Sequence, residues 1–319
     1  MKNTHHFCGK QTISFVLDQI PYIVLFALIL WNCLFTKNFF NIATLWNASF
    51  QCASTVIVSM GMMLVIATGG IDISAGALIA CAGMLATLTM RQSSCILGVL
   101  AGLGTGLAGG FINGIFAGRF KVQPMIVTLS MMYIFKGAAR LASGGSNVST
   151  NTPVFNDLTY IRIGGAPIQL FLFLAVVAIM GFLVNKTTFG QRVFAVGDNA
   201  RASEMAGIRS WLVILAVYMI AAFLTSFAAL VEISMATGAD PNNLGTGMEL
   251  DAIAAVALGG TPMNGGRPRV MGTLAGVFIL QIITIMINMN NVPYAYSLAI
   301  TAAILVAALL LQRVKDRIA

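Results

Sequence analysis

Residues 61–76 read Gly61-Met62-Met63-Leu64-Val65-Ile66-Ala67-Thr68-Gly69-Gly70-Ile71-Asp72-Ile73-Ser74-Ala75-Gly76. An apolar run leads into this stretch from about residue 51, and a second continues from it over 76–90. A helix that crosses a bilayer needs roughly 20 apolar residues. Two such helices therefore flank a glycine pair and a single carboxylate. Gly69 and Gly70 break the first helix, and Asp72 or Ser74 is placed to cap the second by accepting its free N–H groups. A carboxylate held inside a membrane costs on the order of 2.5–3.5 kcal/mol on insertion scales. Capping a broken helix is the simplest way to offset that cost.

Working outward, further apolar segments lie at about 20–35, 95–118, 124–141, 168–185, 211–235, 251–262, 270–289 and 294–312. With the first two, this predicts an all-α polytopic membrane protein of about ten transmembrane segments. The segment at 251–262 is too short to span alone and reads as a half-helix, which a membrane protein tolerates where other segments bury its broken end. The chain is expected to form one transmembrane domain, 1–319, with no extramembrane domain. The first segment follows a polar, basic start, but no small-residue cleavage site comes after it, so it reads as an uncleaved helix.

Composition agrees. Hydrophobic residues make up 58% of the 319 positions and charged residues 9%, against about 25% charged in soluble domains. Mean hydropathy is +0.89. The net charge of +8 lies in short loops between apolar runs, which argues against nucleic acid and for a topological signal. With the N-terminus inside, Lys2, Lys10, Arg119, Lys121, Lys186, Arg192, Arg201, Arg209, Arg267, Arg269, Arg313, Lys315 and Arg317 fall on the cytoplasmic side. Only Lys37, Arg91 and Arg162 fall in outer loops, so both termini are expected in the cytoplasm.

Segment four carries Gly98, Gly102, Gly106, Gly110, Gly114 and Gly118, each four residues from the next. A small-residue face of this kind lets helix backbones approach closely in lipid. The same segment contains a formal GxGxxG at 104–109, but neither a strand nor a following acidic residue accompanies it, so no dinucleotide site is expected. Glu249 and Asp251 precede the short eighth segment, where caps are again the simplest role, and Gly259 and Gly260 follow its apolar core. Glu232, near the outer end of segment seven, reads as a side chain that reaches to water.

The chain has no GxxxxGK[ST], HExxH or GxSxG sequence, and its two histidines, His5 and His6, lie at the N-terminus. Catalytic residues and metal ligands are therefore expected to be absent, and so is ATP hydrolysis by the chain itself. The five cysteines are scattered, with no CxxC pair, and read as small packing residues. The loop at 186–210 has Asn199 as a helix N-cap, an Ala-rich turn and Gly207 as a stop. It predicts a short helix along the membrane surface, with charge and apolar residues to offer a partner. A stand-alone ion-coupled carrier is the alternative class, but it calls for intramembrane ionisable relays.

Three stretches together resemble the permease subunits of bacterial ATP-driven sugar importers, the ribose, xylose, arabinose and galactofuranose group. They are Gly61–Ser74, the segment from Phe189-Gly190 through Gly197-Asp198-Asn199-Ala200 to Ala206-Gly207-Ile208, and the segment from Glu249-Leu250-Asp251 through Leu258-Gly259-Gly260-Thr261 to Gly265-Gly266. The resemblance runs over about 20–312. It implies a sugar importer of the inner membrane, in which two permease chains, identical or paralogous, form the pathway. P-loop ATPase subunits holding ATP and magnesium would dock beneath, and a periplasmic sugar-binding protein would deliver substrate from above. By the same resemblance 186–210 is the cytoplasmic coupling loop, with Gly197, Asn199, Ala200, Glu204, Ala206, Gly207 and Ile208 as ATPase-coupling residues. Outer loops at about 142–167 and 236–250 would meet the binding protein. Asp198 and Ala75 depart from the residues common in the group, and Arg267-Pro268-Arg269 is more basic than usual, which suits contact with the ATPase or anionic lipid. The stretch 238–243 looks most like the galactofuranose-type members.

Overall fold

The computed structural model describes residues 19–36 and 39–290, together with positions 299, 302, 303 and 306. Apart from those four positions, the expected segment at 294–312 lies outside the described residues, as do both chain ends. The order of helices is α1 (Ile20–Phe35), α2 (Ile42–Ala67), α3 (Ala75–Gln92), α4 (Cys95–Gly114), α5 (Pro124–Ser143), α6 (Pro153–Asp157), α7 (Ile168–Lys186), α8 (Thr188–Asp198), α9 (Ala200–Met205), α10 (Ser210–Ala236), α11 (Met248–Leu258) and α12 (Val270–Met289). A π-helical turn, Ile115–Arg119, extends α4. A 3-10 turn, Leu158–Tyr160, follows α6, and two-residue strands β1 (Val148–Ser149), β2 (Arg162–Ile163), β3 (Ala166–Pro167) and β4 (Gly238–Ala239) complete the described elements.

Six of these helices are long and apolar enough to cross a membrane: α2, α4 with its π-turn, α5, α7, α10 and α12. The chain is a multi-pass membrane protein. Helix α2 forms its centre, with 83% of its membrane window buried, whereas the windows of α4 and α5 are each 28% buried and that of α7 33%. Those three therefore leave much of their apolar surface uncovered by the other described residues. Around α2 stand α7, α10, α11 and α12, with α3 between α4, α5 and α10, and α1 leaning on α12. The central helix begins at Ile42, well before the expected 51, because Asn41 caps it by accepting from Ala43 N–H at 3.1 Å. Thr44, Asn47, Ser49 and Gln51 dilute the apolar run there and hide the start from a hydropathy reading.

The glycines of α4 meet neighbouring backbones along a diagonal. Gly98 and Gly102 lie on α3 at Ala86 and Ala82, whereas Gly106, Gly110 and Gly114 lie on α10 at Ser226, Ala222 and Leu215. A methyl added at Gly110 would fall 2.6 Å from the Tyr218 carbonyl oxygen, and one at Gly114 2.9 Å from Leu215 Cα. Gly104, by contrast, meets nothing within 4 Å. The helices can approach this closely because the contact face carries no side chains.

At one end of the bundle β1 pairs antiparallel with β4, Val148 opposite Ala239 and Ser149 opposite Gly238. Thr150 N–H adds a bond to the Thr237 carbonyl at 3.2 Å. The two loops expected to face outward, 142–167 and 236–250, are thus one joined surface. Thr159 and Ser234 hydroxyls hydrogen-bond beneath it, and Gln169 Nε2 donates to the Thr159 carbonyl at 3.1 Å. The opposite end carries α8 and α9 with Arg192, Arg201 and Arg209, and is called the basic end below.

Candidate functional site

The break between α2 and α3 follows from its residues. Gly69, at φ +79°, reverses the chain. Gly70 N–H bonds the Val65 carbonyl at 3.1 Å and Gly69 N–H that of Ile66 at 2.8 Å. This pair of bonds closes a helix on a left-handed residue, which glycine adopts without steric cost. The half-helix α11 ends the same way: Gly260 is at φ +79°, Thr261 N–H bonds the Val256 carbonyl at 3.3 Å, and Gly260 N–H bonds that of Ala257 at 2.9 Å.

Beyond Gly70 the chain is held by side chains from three helices. Asp72 Oδ1 accepts from Ser74 N–H at 2.9 Å and from Ser74 Oγ at 2.6 Å. Asn113 of α4 donates to Ser74 Oγ at 3.0 Å. Thr128 of α5 accepts from Ile73 N–H at 3.2 Å and donates to the Ile71 carbonyl at 3.1 Å. Tyr218 of α10 packs its hydroxyl where a side chain at Gly70 would stand, 2.7 Å from that position. Ser74 is the N-cap residue of α3 but makes no side-chain cap bond. Asp72 fixes the turn just before the helix instead. At α11 the N-cap is Gly247, at φ +86°, without a side-chain cap bond, and Glu249 and Asp251 occupy the first turn. Glu249 directs its carboxylate against Gly76 of α3.

The loop 186–210 folds as two short helices rather than one. Thr187 caps α8 by accepting from Gly190 N–H at 3.4 Å. Asn199 interrupts the helix and caps α9, its Oδ1 accepting from Ala202 N–H at 2.9 Å. Gly207, at φ +85°, closes α9 with a bond from Ile208 N–H to the Ser203 carbonyl at 3.0 Å. Val193 and Val196 are buried against the bundle. Met205 is 87% exposed and Phe194 44%.

The three stretches that looked related in sequence meet at the basic end. Gly266 N–H donates to the carbonyl of Ala67, the last residue of α2, at 2.9 Å. Gly197, on the last turn of α8, lies on the same carbonyl; a methyl added there would collide with Ala67 O and stand 2.8 Å from Gly266 N. A methyl at Gly265 would stand 2.5 Å from Gly197 O and 3.2 Å from Gly69 N. Three backbone segments therefore touch with no side chain between them. Any displacement of α8 must move the end of α2 or the loop after α11, because close-packed backbones leave no room for slip.

Of the residues singled out in the sequence, Gly197 enters this junction directly, with Gly69 and Gly265 beside it. Asn199, Ala200, Glu204, Ala206 and Gly207 lie exposed on the loop beside it, whereas Ile208 packs partly buried against the core. Gly259 supports the junction indirectly, through close contact with Gly272 of α12. Sequence reasoning passed over Asn113, Thr128, Tyr218 and Met205. Asn113 carried a usable signal: an amide within an apolar, glycine-rich span needs a partner.

A family model described as the permease component of branched-chain amino acid transport systems matches residues 44–309. The chain is 33% identical over 310 residues to the ribose import permease protein RbsC of Escherichia coli (strain K12), covering 96% of each. It is 33% identical over 266 residues to the galactofuranose transporter permease protein YtfT of the same strain, covering 82% of this chain and 77% of that one. The L-arabinose transport system permease protein AraH of that strain is 30% identical over 312 residues, 97% of this chain and 95% of AraH. No solved structure matches the chain. With a match that begins at the start of α2 and takes in the break, the loop 186–210 and the half-helix alike, the chain belongs to the family of branched-chain amino acid transport system permease components.

Proposed function

We propose that this chain is the membrane-spanning permease subunit of an ATP-driven importer that carries a sugar from periplasm to cytoplasm. The observation that carries the reading is the glycine junction, in which Gly197 of the surface helix α8 rests on the Ala67 carbonyl beside Gly266. A partner that pulls on α8 and α9 acts at once on the end of α2, the break at Gly69–Ser74 and the loop following α11. A permease driven from outside itself needs such a connection. The break and the half-helix are where a membrane bundle can form a solute site, since unwound backbone is tolerated only against protein or a cavity.

The partner in this reading is a P-loop ATPase subunit that supplies ATP and magnesium, docked on α8–α9, with Met205 as an apolar anchor among basic side chains. This chain contributes no cofactor and no catalytic residue of its own. A second permease chain, identical or paralogous, completes the pathway. A periplasmic sugar-binding protein docks on the surface joined by β1 and β4. The fold in this reading has about ten transmembrane segments, with both termini cytoplasmic, in the inner membrane of a bacterium. Sugar is preferred over amino acid because relatives aligned over nearly the whole chain are named for ribose and L-arabinose.

The test is uptake into vesicles containing the chain with its neighbouring ATPase and binding protein. Labelled ribose, arabinose and galactofuranose are offered, alongside leucine. ATP-dependent accumulation of a sugar supports the reading. Accumulation driven by an ion gradient without ATP contradicts it.

A further inference from the structure

We propose that Lys121 is a positioning residue that holds the docking helix α9 against the bundle through Glu204, giving the partner a second mechanical route to the helix break. The role in transport rests on the importer reading; the latch itself does not. Helix α4 ends in the π-turn Ile115–Arg119, with Phe120 N–H bonding the Ile115 carbonyl at 3.2 Å and Val122 N–H that of Phe116 at 3.0 Å. Between them Lys121 takes φ +53°. That is a conformation for which glycine is the unstrained choice. A strained residue in a turn points to a task for its side chain. Here the task is visible: Lys121 Nζ lies 3.5 Å from Glu204 Oε1, the two side chains being 74% and 44% exposed.

An exposed ion pair shifts an equilibrium by only about two- to fivefold, too little to matter for the bundle. It matters for α9. That helix has six residues, of which Ser203 alone is buried. A second side-chain tie to the bundle is Ser210 Oγ donating to the Ala200 carbonyl at 3.3 Å. The same turn also places the Arg119 guanidinium 5.8 Å over the Trp211 ring, at the start of α10. On its far side, Lys121 leads directly into α5, where Thr128 holds the Ile71 carbonyl and Ile73 N–H of the break. A pull on α9 therefore reaches the break through Lys121 and Thr128 as well as through Gly197.

Hydrogen exchange of the 200–206 amides, measured on the purified permease in detergent, tests the latch without any ATPase. Lys121→Gln should speed exchange by about two- to fivefold at low salt, and the difference should vanish near 1 M salt, where charges are screened beyond about 3 Å. Lys121→Glu should speed it further, and Lys121→Glu with Glu204→Lys should restore the wild-type rate, as a merely structural lysine would not. Equal exchange in wild type and Lys121→Gln, or no restoration in the reversed pair, overturns the proposal. In the vesicle assay Lys121→Gly should lower ATP-driven uptake while raising the melting temperature; unchanged uptake overturns the positioning role. Absence of ATP-driven uptake in the wild type would instead strike at the importer reading and leave the exchange result standing.

Discussion

Gly266 donates its backbone N–H to the carbonyl of Ala67 at 2.9 Å, joining the loop after the half-helix α11 to the last residue of the central helix α2. Residues about two hundred positions apart in sequence are thereby fixed to one another, and Gly197 sits across the bond. Three short glycine-containing stretches act as one mechanical element.

Gly197→Ala should separate folding from transport. The added methyl collides with the Ala67 carbonyl, and overpacking of this kind costs about 1–3 kcal/mol. The chain should still insert, because no apolar span changes, while ATP-driven uptake falls at least tenfold. Uptake within twofold of wild type would show that α8 does not bear on α2 in the way described.

Gly207→Arg places a bulky cation at a left-handed residue on the outer side of the loop, where nothing lies within 4 Å. Membrane insertion should be normal and association with the ATPase lost. Normal uptake by this variant would count against α8–α9 as the docking surface.

Gly106→Leu or Gly110→Leu should lower the melting temperature in detergent sharply, since both positions abut α10. Gly104→Leu, on the same helix but facing open space, should leave it nearly unchanged. Equal losses at Gly104 and Gly106 would refute the contact face.

At the break, Asp72→Asn keeps an acceptor for Ser74 N–H and Oγ, whereas Asp72→Leu removes it. Losing an acceptor at a buried site costs about 1–3 kcal/mol. Asn should therefore retain most uptake and Leu little. Comparable loss in both would assign the work to the charge.

On the outer surface Asp240 is held below its ordinary value of 3.8 by the Asn242 backbone N–H and, next, by the Asn243 side chain. A depressed carboxylate stabilises the turn fully above its unfolded pKa. That contribution is lost as pH falls through the lowered folded value. Protection from hydrogen exchange over 240–246, taken relative to the intrinsic rate at each pH, should thus be constant from neutrality down to about pH 4 and fall only below it. A fall in that protection already between pH 6 and 5 would contradict the assignment.

Much of this was legible in the chain. Apolar length gave the six described helices long enough to span, Gly69-Gly70 and Gly259-Gly260 gave the helix ends, and Asn199 and Gly207 bounded α9. These are local signals, each set by a residue and its neighbours within one turn. Other features were not legible because they depend on distant partners. Nothing in the run 190–197 says that Gly197 will face Ala67. The reading of Asp72, Glu249 and Asp251 as possible caps carried only part of the geometry: Asp72 bonds Ser74 before the helix, and Gly247 takes the cap position at α11. Lys121 looked like an ordinary basic loop residue, since a left-handed φ on lysine leaves no trace in composition.

The most direct test of the central claim is to purify the tagged chain in gentle detergent from its own host and identify the accompanying proteins by mass spectrometry, with Gly207→Arg in parallel. The wild type should carry a P-loop ATPase at roughly one copy per permease chain, and the variant should lose it. A wild-type chain that purifies without any ATPase, under conditions that keep comparable complexes whole, would contradict that claim.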